Sequence, residues 1–393
     1  MSDQTFQTLK NLPNLLYQSQ CVLHKHEVLI CGGKDKKNCY SYHTLKNEYN
    51  HLELRGHCVV KLVDNNNNKD INEITLLSFG GLIKHTLVMK YVSVWSNISK
   101  KIKKLNNYNQ WVPFTDNQNQ PIIIGRDEYH NYQGVRAVIG GSNNHLLFIT
   151  CYSNNISVFN LNTFQFIKHD TLPTDDDIFY HCFVSNLENE QGQEMTKTNK
   201  GENKQNYQML LFCKKTGLSI KYDEDNNAFQ FHQLPVCSDI ASFFCYAYVC
   251  INDIILFFGG WNSKYGFDSV ILKSVQKYSI RDNKWTAFQK TLPSSLYHSV
   301  AILNEDDNHI HIIGGNDDEN TTISTHMKTK VRAWDPSQLV MICLFIFIYF
   351  DEIQINLISK NEIEFIVRHW IRTLQIKFGW INDFNKIIMK YSR

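Results

Sequence analysis

An excess of charge is the first thing this chain lacks. Forty Lys and Arg stand against 38 Asp and Glu, a net charge of +2 over 393 residues, so no global field argues for nucleic acid or an anionic membrane as partner. The short catalytic signatures are missing too: there is no Gly-x-Ser-x-Gly elbow, no phosphate-cradling glycine loop and no His-Glu-x-x-His stretch. None of the eleven cysteines forms a Cys-x-x-Cys pair. Several, such as Cys21, Cys31, Cys151 and Cys213, sit inside apolar runs, which suits reduced core residues of an intracellular protein better than a disulfide framework. Met1 to Lys10 holds no apolar run, so a signal peptide is not expected, the location expected is cytoplasmic, and the sequons at Asn97, Asn155 and Asn320 are expected to carry no sugar. Leu339 to Phe350 is apolar throughout, but its twelve residues fall short of the ~20 that cross a bilayer as a helix. A buried strand or packed helix is the expected reading, with membrane association as the lesser alternative.

What the chain does have is one complete sheet-forming unit, from Ala247 to Pro293. Ile254-Ile255-Leu256-Phe257-Phe258 ends in Gly259-Gly260, a strand buried on both faces and halted where only glycine easily takes positive φ. Val275 to Ile280 and Lys284 to Phe288 alternate like two half-exposed strands around the turn Arg281-Asp282-Asn283. The unit therefore reads as a four-stranded antiparallel sheet, and such a sheet cannot bury both faces without copies of itself. Copies of its buried strand and double glycine end at Gly32-Gly33, Gly80-Gly81 and Gly314-Gly315. Leu146 to Thr150 and Met209 to Cys213 repeat the strand without the glycines, and Gly140-Gly141 lies before its strand, at the preceding turn. An aromatic pair seven residues apart then marks each unit: Tyr278 and Trp285, Tyr42 and Tyr49, Phe159 and Phe166, Tyr222 and Phe229. In the second unit Trp95 and Trp111 read as the same pair split by a polar insertion.

Strand end, double glycine, Tyr and Trp in this order resemble the kelch-repeat β-propeller family over roughly Thr5 to Asp335, with the third and fourth units degenerate. The expected fold is all-β, a six-bladed kelch-type propeller of four-stranded antiparallel blades (4–335), followed by an apolar segment and a small C-terminal α-helical hairpin (336–393). Leu12-Pro13, Leu16-Tyr17 and Ser19 match Leu292-Pro293, Leu296-Tyr297 and Ser299, where unit five hands over to unit six. Thr5 to Lys10 is thus expected to be the outermost strand of the last blade, closing the ring; the rival closing strand is Leu339 to Leu344. Asp64 to Asp70 and Asn186 to Gln205 are too polar to pack, and Trp111 to Arg136 reads as a solvated insertion rather than an ordered flap.

Candidate chemistry is sparse. His24 with His26, and His309 with His311, are spaced like paired ligands, but they are expected in neighbouring outer strands and nothing nearby completes a site. No metal or cofactor is expected, and the Tyr, Cys and His ligands of the copper oxidases built on kelch propellers have no assignable positions here. The resemblance puts the loops after the double glycines and after the fourth strands on one face. Those loops carry Lys36, Lys37, Lys84, His85, Lys214, Lys215, Trp261 and Lys264, with Tyr17, Tyr297 and His298. Basic points among aromatics suit a protein or acidic peptide partner. The expected function is a non-enzymatic interaction scaffold. The alternatives are an oxidase- or lyase-like enzyme at the channel mouth, which three or more convergent His, Tyr or carboxylate groups would favour, and a degenerate paralogue without activity.

Overall fold

The computed structural model describes residues 5–33, 38–53, 58–63, 73–81, 85–95, 108–125, 131–185, 207–262 and 268–335. The expected C-terminal helical hairpin, the apolar run 339–350 and the polar stretches 64–70 and 186–205 lie outside them. No helix among the described residues is long and apolar enough to cross a membrane.

Strand β1 (Phe6–Thr8) comes first. Blade one is β2 (Gln20–His24), β3 (Glu27–Cys31), β4 (Asn38–His43) and β5 (Glu48–Glu53); blade two is β6 (Cys58–Leu62), β7 (Glu73–Gly80), β8 (His85–Val92) and β9 (Val112–Pro113). Blade three is β10 (Arg136–Gly140), β11 (Leu146–Cys151), β12 (Asn155–Asn160) and β13 (Gln165–Thr171); blade four is β14 (Cys182–Ser185), β15 (Tyr207–Cys213), β16 (Thr216–Asp223) and β17 (Ala228–Gln233). Blade five is β18 (Ala247–Ile251), β19 (Ile254–Phe258), β20 (Val275–Ser279) and β21 (Lys284–Ala287); β22 (Val300–Asn304), β23 (His309–Ile313) and β24 (His326–Lys330) begin blade six.

Every pairing is antiparallel and runs in chain order within a blade, except that β1 supplies the fourth strand of blade six, in the order β1-β24-β23-β22. Phe6 faces Thr329 and Thr8 faces Met327 across that seam. The place that Leu339 to Leu344 would have taken is therefore filled. The first strands β2, β6, β10, β14, β18 and β22 form the inner ring around the channel. Each blade is sealed to the next by its own apolar cluster, six clusters for six interfaces. Leu29, Leu76 and Met89 join blades one and two, Phe79 and Leu147 two and three, and Phe148 and Leu211 three and four. Phe212 and Phe257 join four and five, Phe258 and Ile312 five and six, and Ile313 and Val28 six and one. The spacing of seven now has a cause: the last two residues of one strand, a four-residue turn and the first two of the next make the two rings register partners. Centroids are 5.2 Å apart for Tyr278 and Trp285, 4.9 Å for Tyr42 and Tyr49, 5.1 Å for Phe159 and Phe166 and 4.9 Å for Tyr222 and Phe229.

Three expectations need correction. In blade two the pair is not Trp95 with Trp111. Trp95 lies beyond β8 and donates its indole N–H to Ser41 Oγ at 2.9 Å; the buried aromatic is Tyr91, which pairs with Ile74. The histidines do not sit in outer strands: His24 ends the innermost strand β2, His26 is in the following turn, and His309 and His311 belong to β23. The stretch from Trp111 to Arg136 is only partly solvated where it is described: Asn117 to Pro121 are exposed, but most of the rest packs against the sheet. Phe114 N–H donates to the Thr86 carbonyl of β8 at 3.2 Å, Ile122 N–H donates to the Phe114 carbonyl at 2.8 Å, Ile124 N–H donates to Thr86 Oγ1 at 2.8 Å, and Ile124 and Tyr132 are buried.

The double glycine of blade five is required twice over. Gly260 has φ 122° and Gly259 has φ 67°, and a Cβ on Gly259 would collide with the Leu296 carbonyl oxygen. Gly260→Val should cost ~1–3 kcal/mol through left-handed strain alone. Gly259→Ala should cost more, because the colliding atom is backbone and cannot step aside. Urea unfolding of the two variants checks this, and a wild-type midpoint for Gly259→Ala would contradict it.

Candidate loop-face site at the channel mouth

Blades one, three, four, five and six are each entered through a residue in the left-handed region: Gln18 (φ 59°), Gly134 (φ 68°), Tyr180 (φ 48°), Cys245 (φ 57°) and His298 (φ 55°). Backbone hydrogen bonds link them in two runs, one of three residues and one of two. Gln18 N–H donates to the His298 carbonyl at 2.9 Å, His298 N–H to that of Cys245 at 2.7 Å, and Tyr180 N–H to that of Gly134 at 2.9 Å. The links are a physical reason for four non-glycine residues to accept a conformation that usually favours glycine.

The residue before each of the four non-glycine entry residues is aromatic. That residue is Tyr17, Phe179, Phe244 or Tyr297, so aromatics recur at one structural position. The loops after the double glycines join them: Phe244 and Trp261 exchange two backbone hydrogen bonds at 3.0 and 2.9 Å, and Tyr297 and Asn316 exchange two at 3.0 and 2.8 Å. The result is an aromatic arc. Ring centroids are 4.9 Å apart from Phe179 to Phe244, 5.8 Å to Trp261, 5.4 Å on to Tyr297 and 4.9 Å to His298; Tyr17 closes it 6.1 Å from His298. Lys214 Nζ stands over the arc, 5.2 Å from the Phe244 ring and 5.6 Å from Phe179, a cation–π arrangement.

Of the residues expected on this face, Tyr17, Trp261, Tyr297, His298 and Lys214 are gathered by these contacts. Lys215 is exposed beside Lys214, its N–H held by Asp176 Oδ2 at 3.1 Å. His85 opens β8 and meets Ser78 Oγ at 2.9 Å through Nε2. Lys36, Lys37, Lys84 and Lys264 lie outside the described residues. Sequence reading missed Phe179, Phe244, Gln18, Tyr180, Gln133 and Arg136. The aromatic preceding each first strand was a usable signal for the first two, since Leu16-Tyr17 and Leu296-Tyr297 had already been aligned.

The mouth itself is crossed by polar side chains. Tyr180 of blade four donates its hydroxyl to Gln18 Oε1 of blade one at 2.8 Å, from the opposite side of the ring. Gln133 Nε2 donates to the Tyr180 hydroxyl at 3.3 Å, and Gln18 Nε2 lies 3.2 Å from His298 Nδ1. Burial pushes the Tyr180 phenol up to about 12, so it remains a neutral donor. Arg136, the first residue of β10, holds its guanidinium 5.9 Å over the Tyr180 ring. Among the described residues no three His, Cys, Asp or Glu gather as metal ligands.

Comparison with known proteins agrees with this architecture. The Kelch motif family matches residues 242–290, which is blade five and its approach. No curated protein matches the sequence. The solved structure of YjhT is similar over 81% of this chain and 96% of its own, with a TM-score of 0.52 at 11% identity, a likeness of fold alone. A structural-genomics protein of unknown function from Bacteroides thetaiotaomicron covers 83% of this chain and 75% of its own at a TM-score of 0.48 and 11% identity. With a Kelch motif in blade five and six four-stranded blades closed into one ring, the chain is a six-bladed β-propeller that carries a kelch repeat.

Proposed function

We propose that the protein is a non-enzymatic interaction module that presents the loop face to a protein partner. The observation that carries this reading is the aromatic arc. Tyr17, Phe179 and Trp261, half-buried rings backed by the buried Phe244 and Tyr297 and bordered by Lys214 and Lys215, supply the rigid contact area and charge that dominate protein interfaces. Trp261, half-buried between Phe244 and Tyr297, is the natural anchor, and an acidic partner surface complements the lysines.

The test is affinity purification of the full chain with quantification of co-purifying proteins. Trp261→Ala and Lys214→Glu should each weaken capture of the same partners at least ~10-fold, as truncation at an interface centre does. Lys284→Glu, exposed on the outer strand β21, should leave capture unchanged. Partners retained by Trp261→Ala in a folded protein would contradict the loop face.

A second reading has one observation in its favour. Tyr17, Tyr180 and His298 converge at the mouth, with 4.9 Å between the Tyr180 and His298 centroids, which meets the criterion set for an enzyme. Against it, the Tyr180 hydroxyl is neutral and already committed to Gln18, which disfavours it as a general base. Binding is therefore the reading we adopt.

A further inference from the structure

Arg136 has a place in the channel and a charge that nothing described there balances. One of its nitrogens, Nη1, donates to the carbonyl of neighbouring Val135 at 3.0 Å. No ion pair joins it to a carboxylate among the described residues. Its charge nevertheless acts on Cys58 of blade two, on His181 and Cys182 of blade four, and on Cys245 and Tyr248 of blade five. A side chain of blade three reaches inner-strand groups of three other blades only from the axis. None of those groups brings a negative charge, since burial pushes the Cys58 thiol and the Tyr248 phenol up to about 12 and holds His181 well below its ordinary range, hence neutral. A half-buried guanidinium without a counter-charge is costly, and its planar fork fits a carboxylate through two parallel hydrogen bonds.

We propose that the channel mouth is a carboxylate site: Arg136 takes both oxygens of an Asp or Glu side chain of the partner, and the Tyr180–Gln18 bar yields to admit it. The inference rests on the loop-face reading for the source of the carboxylate and deepens it by naming the anchor. A partner lying on the aromatic arc is already centred on the mouth, because His298 belongs both to the arc and to the bar. Gln18 and Gln133 bring side-chain amide donors to the same opening.

The experiment is isothermal titration of the full chain with three probes: the capped peptide acetyl-Ala-Glu-Ala-amide, its Gln counterpart, and free glutarate. The Glu peptide should bind at least ~10-fold more tightly than the Gln peptide, as expected when a buried charge is left unpaired by the neutral analogue. Arg136→Gln should remove that preference, Arg136→Lys should retain part of it because the charge stays while the fork is lost, and Gln18→Ala, which removes the bar, should keep it. Glutarate binding as tightly as the Glu peptide would overturn the partner side chain as source and assign the site to a small free carboxylate. Equal affinity for Glu and Gln peptides, or a preference that survives Arg136→Gln at the wild-type melting temperature, would overturn the site. If Arg136→Gln melts early, the wild-type protein decides: millimolar glutarate at constant ionic strength should raise its melting temperature above that in chloride, and no rise counts against the proposal. Loss of partners by Trp261→Ala without any Glu preference leaves the loop face standing and removes the anchor. An Arg136-dependent preference with partners retained by Trp261→Ala does the reverse.

Discussion

Deleting residues 1–11 should abolish the cooperative thermal transition of the whole propeller. The segment is short, but among the described residues it holds the only place where the ring is joined by strands from opposite ends of the chain. Phe6 is buried against Trp334 with ring centroids 5.5 Å apart. Thr329 Oγ1 donates to the Thr5 carbonyl at 2.8 Å and accepts from Trp334 Nε1 at 3.0 Å, and Leu9 N–H donates to the His326 carbonyl at 2.8 Å. Loss of one buried phenylalanine costs ~3–5 kcal/mol, and the deletion also strips the ladder from β24 and exposes Trp334. Set against a typical total of ~5–15 kcal/mol, that is enough to unfold blade six. The damage spreads because each apolar cluster is shared between two blades, so neither neighbour keeps a sealed face. A variant lacking residues 340–393 retains all 24 described strands and should still melt cooperatively. Circular dichroism melting of the two truncations decides the matter; a wild-type transition in the N-terminal deletion would contradict the closure.

Acid should weaken the same seam. His311 and His326 are buried where blade six meets blade one, 2.9 Å apart from Nδ1 to Nε2. Tyr49 of blade one donates its hydroxyl to the Lys10 carbonyl at 3.1 Å, so toward His326 Nδ1 it accepts. That fixes the proton on His326 Nδ1, leaves Nε2 to accept from His311 Nδ1–H, and makes His311 Nε2 a bare acceptor with no partner. Burial holds His311 down to about 4 and His326 well below its ordinary range. Both are thus depressed relative to the unfolded chain at ~6.5, and below that pH the unfolded state binds more protons. Stability is complete above ~6.5 and is lost as pH falls toward 4, by about 3 kcal/mol for His311 alone. His181, buried and held neutral in blade four, adds to the loss. Urea midpoints at pH 7.5, 6, 5 and 4.5 should fall steadily, and His311→Gln should flatten the fall; a midpoint independent of pH over this range would contradict the assignment.

Much of this architecture was legible because it depends on local, repeated contacts. The double glycines, the buried second strands and the rings seven residues apart are written within each unit, and the match of Leu12-Pro13 to Leu292-Pro293 exposed the seam. Blade two hid its pattern because Trp95 left the sheet to meet Ser41 and Lys46 of blade one, while Tyr91 took the buried place. The candidate site was legible only at its rim. Lys214, Trp261, Tyr297 and His298 sit in loops that sequence marks as exposed. Gln18, Gln133, Tyr180 and Arg136 come from blades one, three and four and meet only once the ring has closed, so no local spacing announces them. Left-handed φ at Tyr180, Cys245 and His298 was equally silent, since these residues adopt it for hydrogen bonds to a neighbouring blade.

The most direct test of the account is to place cysteines at positions 7 and 328, Gln7→Cys with Lys328→Cys, and treat the folded protein with a short bifunctional maleimide. Gln7 and Lys328 are register partners across the seam, and cross-strand partners stand ~4.5–5.5 Å apart at Cβ. The ten described native cysteines are free, seven of them buried, so the single variants supply the background. Closure by β1 predicts an intramolecular 7–328 link, seen as one joined peptide pair by mass spectrometry, and no such link in Gln7→Cys with Lys284→Cys, whose second site is on β21 of blade five. A 7–284 link, or no 7–328 link in protein that melts at the wild-type temperature, would contradict it.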